Sequence, residues 1–517
     1  MNRLVVGDYI VIGVYVIGVL LLGILFAGRQ KSMKEYFLAS GNMPWWAVSL
    51  SMYATLLSPI TFLGAAGWIY QEDSRYFFST AVLALITFPL AAYVWVPIWD
   101  RLRTVTIYEY LERRFHPGLR TFGAILFPIQ MIFWVGNGLV AAAMAFSSVS
   151  GIPMLCCLLG IVLLGTAYTI LGGSRAVIWT DVVQSVIFLF AFITIGLLLL
   201  KYFNWSPGEI HAIASSEKSA AGYAKTQLFS AEFSLSVEAT IWALLLAKIV
   251  EIFTFGSDQR TMQRLMSTGT RRHMFKAVVG LAGVQFIFWM LAIFVAWGFV
   301  AYYKVNPEAA KLIMQPDEVM ARYVVGHLPI LVRGLIIAGL LAAMMSTFDS
   351  ALNSMSSSAI SDFYKRYFVP NASDTHYVKC SRYATLGWGL LVLVFAVWQS
   401  GHTDTTVLKR VGQFNLLLLP MIAIFFILGV FTRRCNAGGA LVGALTSFLL
   451  VMCFQGIPEL MDPLVNYSIN WIWLEGLCTV AGCVTGYIAS LLFAAPAEEQ
   501  LKGLTVYEKS TPRPDAV

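Results

Sequence analysis

Residues 335–358 read LIIAGLLAAMMSTFDSALNSMSSS. The stretch starts as an ordinary apolar span and then gathers Ser346, Thr347, Asp349, Ser350, Asn353 and Ser354 within a few helical turns. In hydrocarbon a strongly polar or ionisable side chain costs kilocalories unless it meets a partner, a cavity or an ion. A helix of this kind marks the place in a membrane protein where something polar is handled.

The rest of the chain supports that setting. Of 517 residues 58% are apolar and 12% charged, and the mean hydropathy of +0.73 lies outside the range of soluble globular domains. Apolar runs long enough to cross roughly 30 Å of hydrocarbon as helix fall at 5–27, 45–70, 76–98, 121–149, 152–171, 176–202, 237–257, 274–302, 329–359, 381–399, 412–431, 437–454 and 470–494. The expectation is an all-α polytopic membrane protein of about 13 transmembrane helices. Most Lys and Arg fall in alternate loops, including Arg101, Arg103, Arg113, Arg114, Arg260, Arg264, Arg271, Arg272, Lys365 and Arg366. By the positive-inside rule these loops are cytoplasmic, which predicts a multi-pass cell-membrane protein with its N-terminus outside and its C-terminus inside.

The first apolar run lacks a basic leader and a small-residue cleavage site, so it is expected to be a retained helix. The seven cysteines show no metal or disulfide spacing. The net charge of +7 is expected to face anionic membrane lipid; nothing suggests a nucleic-acid or protein partner. The six histidines, His116, His211, His273, His327, His376 and His402, sit in loops or at span ends without metal-ligand spacing, which leaves an enzyme without a visible centre. Residues 1–494 read as a single transmembrane domain, and 495–517 as a polar, disordered cytoplasmic tail.

Two spans are interrupted. PWWAVSLSMYATLLSPITFLGAAGWIY, residues 44–70, carries Ser58 and Pro59 at its centre. Proline has no N–H and pushes the residue before it out of α geometry, which frees carbonyls near 54–57. Broken backbone is tolerated at membrane depth where it lines a cavity; a plain proline kink is the simpler account. The run at 237–257 holds Lys248 and Glu251, at the spacing of an internal salt bridge, and then FTFGSDQRTMQR.

A desolvated cation such as Na⁺ needs several oxygen ligands, and hydroxyls and carbonyls supply them without trapping it. Ser346 and Thr347, with the Ala343 carbonyl one turn earlier and carbonyls from the broken span, are suited to this. Alternatively the two hydroxyls bond back to their own helix or bind neighbouring helices together.

The order of several motifs resembles the sodium/solute symporter family, which includes sodium/glucose, proline, sialic acid and iodide transporters: EYFLASGNMPWW (35–46), ATLLSPITFLG (54–64), TIYEYLERRF (106–115), LGGSRAVIWTDVVQS (171–185), GSDQRTMQR (256–264), MSTFDSALNS (345–354) and DFYKRY (362–367). The resemblance covers almost the whole chain. It implies a leucine-transporter-like fold of two inverted five-helix repeats, over 45–202 and 237–431, with an extra first helix at 5–27 and extra C-terminal helices at 437–494. It implies a co-transported Na⁺ held by the carbonyls of Ala54, Leu57 and Ala343 and the hydroxyls of Ser346 and Thr347. Some members hold a second Na⁺, for which Asp181, Ser346 and Ser350 match in type, whereas Asp349 stands where a hydroxyl residue is usual. Asp349 is then a ligand, a partner for a basic group, a proton carrier or a residue facing the cytoplasmic vestibule; the other reading of Asp181 is a cap or loop anchor.

Positions matching substrate contacts are Thr61, Trp134, Thr254, Phe255, Gln285 and Gln413. Trp134 stands where sialic acid transporters present an arginine, and Gln285 where a bacterial galactose transporter presents a lysine. Amides, hydroxyls and aromatic faces without a basic clamp suit a neutral sugar or sugar-like solute. The alternatives are a small carboxylate held by exposed backbone amides, or, in another class, a sodium-gated channel or sensor.

Overall fold

The computed structural model describes residues 4–26, 30–57, 59–313, 316, 318–401, 405–455 and 469–507. Ser58, His402 and residues 508–517 lie outside them, as does the side chain of Gln413. The described chain is helical and has no named strand. In order it forms α1 (Val6–Leu25), α2 (Met33–Leu38), α3 (Trp45–Leu56), α4 (Pro59–Gln71), α5 (Arg75–Leu102), α6 (Tyr108–Arg114), α7 (Pro117–Ser150), α8 (Met154–Tyr202), α9 (Pro207–Ser216) and α10 (Ile241–Thr254). It continues with α11 (Gln259–Leu265), α12 (Arg271–Val305), α13 (Pro307–Ala310), α14 (Glu318–His327), α15 (Val332–Ser358), a π-helix (Ala359–Phe368), α16 (Asp374–Ser400), α17 (Thr405–Phe431), α18 (Ala437–Gln455) and α19 (Trp471–Ser490).

Among the described residues nine helices are long and apolar enough to cross a membrane. The expected run at 45–70 is two short helices, α3 and α4, and that at 237–257 shortens to α10. The runs at 152–171 and 176–202 join into α8, which bends at Gly173. There φ is +57°, and a Cβ would sit 2.8 Å from the Tyr36 carbonyl, so only glycine lets the bend close onto α2.

α15 is the central post. Of its most apolar stretch 94% is buried, against 28% for α1, and it packs against α8, α1, α7 and α16. α1 lies at the edge, where Ile10, Val14, Ile17, Leu21 and Ile24 are more than half exposed. An apolar outer stripe at 3–4 residue spacing belongs in lipid, which has no need of a polar face. Its polar exception, Asp8, is buried and accepts the Arg333 Nε at 2.9 Å at the start of α15.

α18 and α19 approach through two Gly-x-x-x-Gly steps, Gly439/Gly443 and Gly482/Gly486; a Cβ on Gly443 would lie 2.4 Å from the Gly482 carbonyl. Small residues let helix backbones touch where lipid offers no hydrophobic drive. Gly443→Ala is expected to force the pair apart and destabilise the protein by about 1–3 kcal/mol, read as a lower melting temperature in detergent.

The tail departs from expectation. Residues 495–507 are not disordered: Leu504 and Thr505 are buried, Tyr110 donates to the Leu504 carbonyl at 3.1 Å, Gln500 to that of Phe115 at 2.9 Å, and the Val506 N–H to that of Val430 at 3.1 Å. The apolar Leu504 and these backbone bonds supply what the polar composition concealed.

Candidate functional site

The break in the first discontinuous span is local chemistry. Pro59 opens α4 without an N–H to give, and Leu57 at φ −82°, ψ 107° has already left helical geometry. Backbone carbonyls at the end of α3 therefore turn toward α15. Ser346 donates to the Ala54 carbonyl at 2.9 Å and to the Ala343 carbonyl at 3.1 Å. Thr347 donates to the Leu57 carbonyl at 3.2 Å and to that of Ala343 at 3.2 Å. The five oxygens singled out in the sequence thus converge. All five residues are buried, none more than 2% exposed. Both readings of the hydroxyls meet in this geometry: they bond back along α15 and also bridge to the broken span.

One turn further along α15 a second polar cluster begins. Asp181 on α8 accepts the Ser51 hydroxyl at 2.5 Å and Arg264 Nη2 at 3.3 Å, while its Oδ1 has no hydrogen-bond partner. Arg264 also donates through Nε to Ser51 at 2.8 Å and through Nη2 to Ser350. Asp349 accepts the Tyr168 hydroxyl at 2.6 Å and that of Ser350 at 3.1 Å, and Ser350 lies 3.1 Å from the Thr55 hydroxyl. Asp181 thus meets the guanidinium directly and Asp349 only through Ser350, and both carboxyls are 0% exposed.

Several expectations change here. Asp349 is fully buried in this conformation, and its direct partners are hydroxyls rather than a base. Asp181 is not a cap at a helix end but lies inside α8. Arg264, counted among loop cations, is 1% exposed and reaches into the protein. The reason is the second discontinuity: α10 gives way to a 3₁₀ turn at Phe255–Ser257 and an extended Asp258, and α11 then carries Arg264 back inward. Sequence reasoning missed Ser51, Tyr168 and Arg264; the signal for Arg264 was its place at the end of an interrupted span. Lys248 and Glu251 pair as their spacing implied, at 2.7 Å.

The candidate solute residues lie on α4, α7, α10 with its 3₁₀ turn, α12 and, for Gln413, α17. α4 packs against both α7 and α12. Thr61 is half-buried on α4. Beside it Phe62 contacts Phe192 with ring centroids 5.1 Å apart, and Phe192 contacts Phe288 at 5.1 Å, one turn beyond the buried Gln285. Phe255 packs on Phe88 at 5.6 Å, Thr254 ends α10, and Trp134 is half-buried on α7. Tyr53, packed on Phe288 at 5.0 Å, has a buried hydroxyl with no partner, an unmet polar group that the sequence did not single out.

The profile of the Sodium:solute symporter family matches residues 36–447. The chain is 29% identical over 493 residues to the sodium/sialic acid symporter NanT of Aliivibrio fischeri, covering 94% of this chain and 93% of that protein. It is 25% identical to the sodium/glucose cotransporter of Vibrio parahaemolyticus, over 87% and 85% of the two chains. Among solved structures it superposes with a TM-score of 0.84 on the substrate-bound outward-open state of a Na⁺-coupled sialic acid symporter, at 26% identity, covering 95% of this chain and 98% of that one. The chain belongs to the sodium:solute symporter family: it is a multi-pass membrane transporter rather than an enzyme, and sodium is its co-transported ion.

Proposed function

We propose that this protein imports a small polar, sugar-like solute, driven by the inward sodium gradient, through alternating access of a leucine-transporter-like 5+5 inverted repeat. The repeats are 45–202 and 237–431, each opening on a discontinuous helix, α3/α4 and α10/α11. Counting the two arms of α8 separately and each broken pair as one crossing supports about thirteen spans. The distribution of Lys and Arg supports an outside N-terminus and a cytoplasmic C-terminus.

The carrying observation is the convergence of Ser346 on Ala54 at 2.9 Å and of Thr347 on Leu57 at 3.2 Å. On this reading the hydroxyls turn their lone pairs to Na⁺ and, with the carbonyls of Ala54, Leu57 and Ala343, enclose it. Sodium tethers the broken span to α15 and stabilises an outward-open state; solute then permits closure and rocking, and loss of sodium inside loosens the tether.

Asp181, Asp349 and Ser350 form the second sodium site. The Asp181 Oδ1 is a buried acceptor without a donor, and Arg264 links Asp181 to Ser350, which donates to Asp349. Asp349→Asn is expected to lower the Hill coefficient for sodium from about 2 toward 1, since one site's charge is removed; an unchanged sodium dependence of uptake would overturn the second site.

For the solute, Thr61, Thr254, Gln285 and Gln413 offer hydroxyls and amides, Trp134 and Phe255 offer aromatic faces, and none is cationic. That set favours a neutral sugar. The second reading is an acidic sugar or small carboxylate. It is supported by relatives named as sialic acid symporters and, at 27% identity over 465 residues, the sodium-coupled monocarboxylate transporter 2 of Bos taurus; the N-terminus of α4, opened by Pro59, is the anion-binding element it would use. Proteoliposome counterflow with labelled glucose, galactose, sialic acid and lactate, in Na⁺ and in K⁺, separates the readings. Na⁺-dependent exchange of the neutral sugars alone supports the first, exchange of the acids alone supports the second, and equal exchange in both salts overturns sodium coupling.

A further inference from the structure

At the end of the bundle where α5 finishes and α12 begins, the two helices border a groove of about 540 Å³. Its walls include Tyr93, 77% exposed, and Pro97 on α5, with Phe275, 39% exposed, on α12. Ile86 and Leu90 continue the Tyr93 face along α5, and Val279 continues that of Phe275, all well exposed. This apolar strip runs from the groove toward the middle of both helices, so the groove opens onto hydrocarbon rather than into the protein.

Its rim carries three cations, Arg271, Arg272 and Lys276. Arg271 and Arg272 are the first residues of α12, where the positive end of the helix dipole disfavours them. Among the described residues none of the three forms an ion pair. Asp100, the next carboxylate along α5, is held by Arg103 at 2.5 Å, and Lys276 finds only the Trp45 ring, 5.8 Å from its Nζ. Three cations gathered at the unfavourable end of a helix, beside an apolar channel, call for an anion with a hydrocarbon tail.

We propose that this groove binds one anionic phospholipid, its phosphate among Arg271, Arg272 and Lys276 and an acyl chain along Tyr93, Pro97 and Phe275. Free phosphate would answer the cations and leave the walls bare. A zwitterionic lipid would fill the walls but bring its own cation to the rim. The bound lipid fastens α5 to α12 at one end of the helix bundle.

Native mass spectrometry of the full chain in detergent, titrated with phosphatidylglycerol or phosphatidylcholine, tests this. One tightly retained phosphatidylglycerol is expected, with phosphatidylcholine at least tenfold weaker. Arg271→Gln, Arg272→Gln and Lys276→Gln together are expected to weaken phosphatidylglycerol by about a hundredfold, each basic residue near a lipid surface contributing a several-fold factor. Lys218→Gln, Lys304→Gln and Lys311→Gln together, which remove equal charge at and beyond the other end of α12, are expected to leave it unchanged. Equal retention of the two lipids by the unaltered chain, or an unaffected rim variant, overturns the proposal, as does competition by glycerol phosphate at a concentration equal to that of the lipid, which would mark a site for soluble anions. Should the rim variant be unstable, the comparison of the two lipids on the unaltered chain decides. Retention is read without transport, so failure here leaves the sodium and solute assignments untouched.

Discussion

Replacing Arg264 by methionine is expected to lower stability by about 3–5 kcal/mol, the cost of stranding a buried charge by removing its partner. Arg264 and Asp181 are 1% and 0% exposed, so neither borrows solvation from water. Arg264 also supplies donors to Ser51 and Ser350, and Ser350 in turn donates to Asp349. Without the guanidinium two carboxylates face one hydroxyl network with no cation between them. Arg264→Lys keeps the charge but loses the fork that reaches Asp181, Ser51 and Ser350 together, so an intermediate loss is expected. Asp181→Asn combined with Arg264→Met removes both charges and is expected to recover most of the deficit. Thermal melting in detergent, with monodispersity as the readout, measures all three. If the double variant is no more stable than Arg264→Met alone, the pair is not the source of the stability.

Ser346→Ala and Thr347→Ala are each expected to raise the sodium concentration for half-maximal uptake about 5- to 150-fold, the equivalent of losing a buried polar interaction of about 1–3 kcal/mol. Together they are expected to abolish sodium-driven accumulation, because both bridges from α15 to the broken span disappear at once. Thr347→Ser keeps the hydroxyl and is expected to stay near the unaltered protein. Sodium titration of solute uptake in proteoliposomes separates a ligand role from a packing role. Hydroxyls that only join two helices would, when removed, lower the melting temperature equally in Na⁺ and K⁺ and leave the half-saturating sodium concentration where it was.

Much of the first candidate site was legible in the sequence. Pro59 breaks its helix for a reason carried by one residue, the missing N–H, and Ser346 and Thr347 are conspicuous because they open a hydroxyl-rich run directly after an apolar one. The family resemblance supplied the partners, and the structure brings Ser346 to the Ala54 carbonyl and Thr347 to that of Leu57. The second cluster was legible only in part. Asp181 and Asp349 stood out as acids in apolar surroundings, yet Tyr168 looked like any aromatic of a span, and Arg264 looked like a loop cation because positive-inside counting treats the end of every apolar run as a water boundary. The tail misled in the opposite direction: Pro, Glu and Lys around 495–507 read as disordered, while Leu504 and its neighbours' backbone hydrogen bonds hold the segment against α6 and α17.

The sequence by itself determined what depends on local chemistry: that the chain is helical and embedded in lipid, that two of its spans are broken, that hydroxyls gather around one acid in α15, and that its motifs resemble those of sodium-coupled symporters. Hydrocarbon thickness, proline geometry and the cost of polar groups in lipid act residue by residue and leave their mark in composition and spacing. The tertiary structure decided which groups meet. Ser346 reaches Ala54 across 292 positions of sequence, and Arg264 reaches Asp181 across 83. Such pairings follow from how whole helices pack and from where a broken helix re-enters the core, and no local pattern records them.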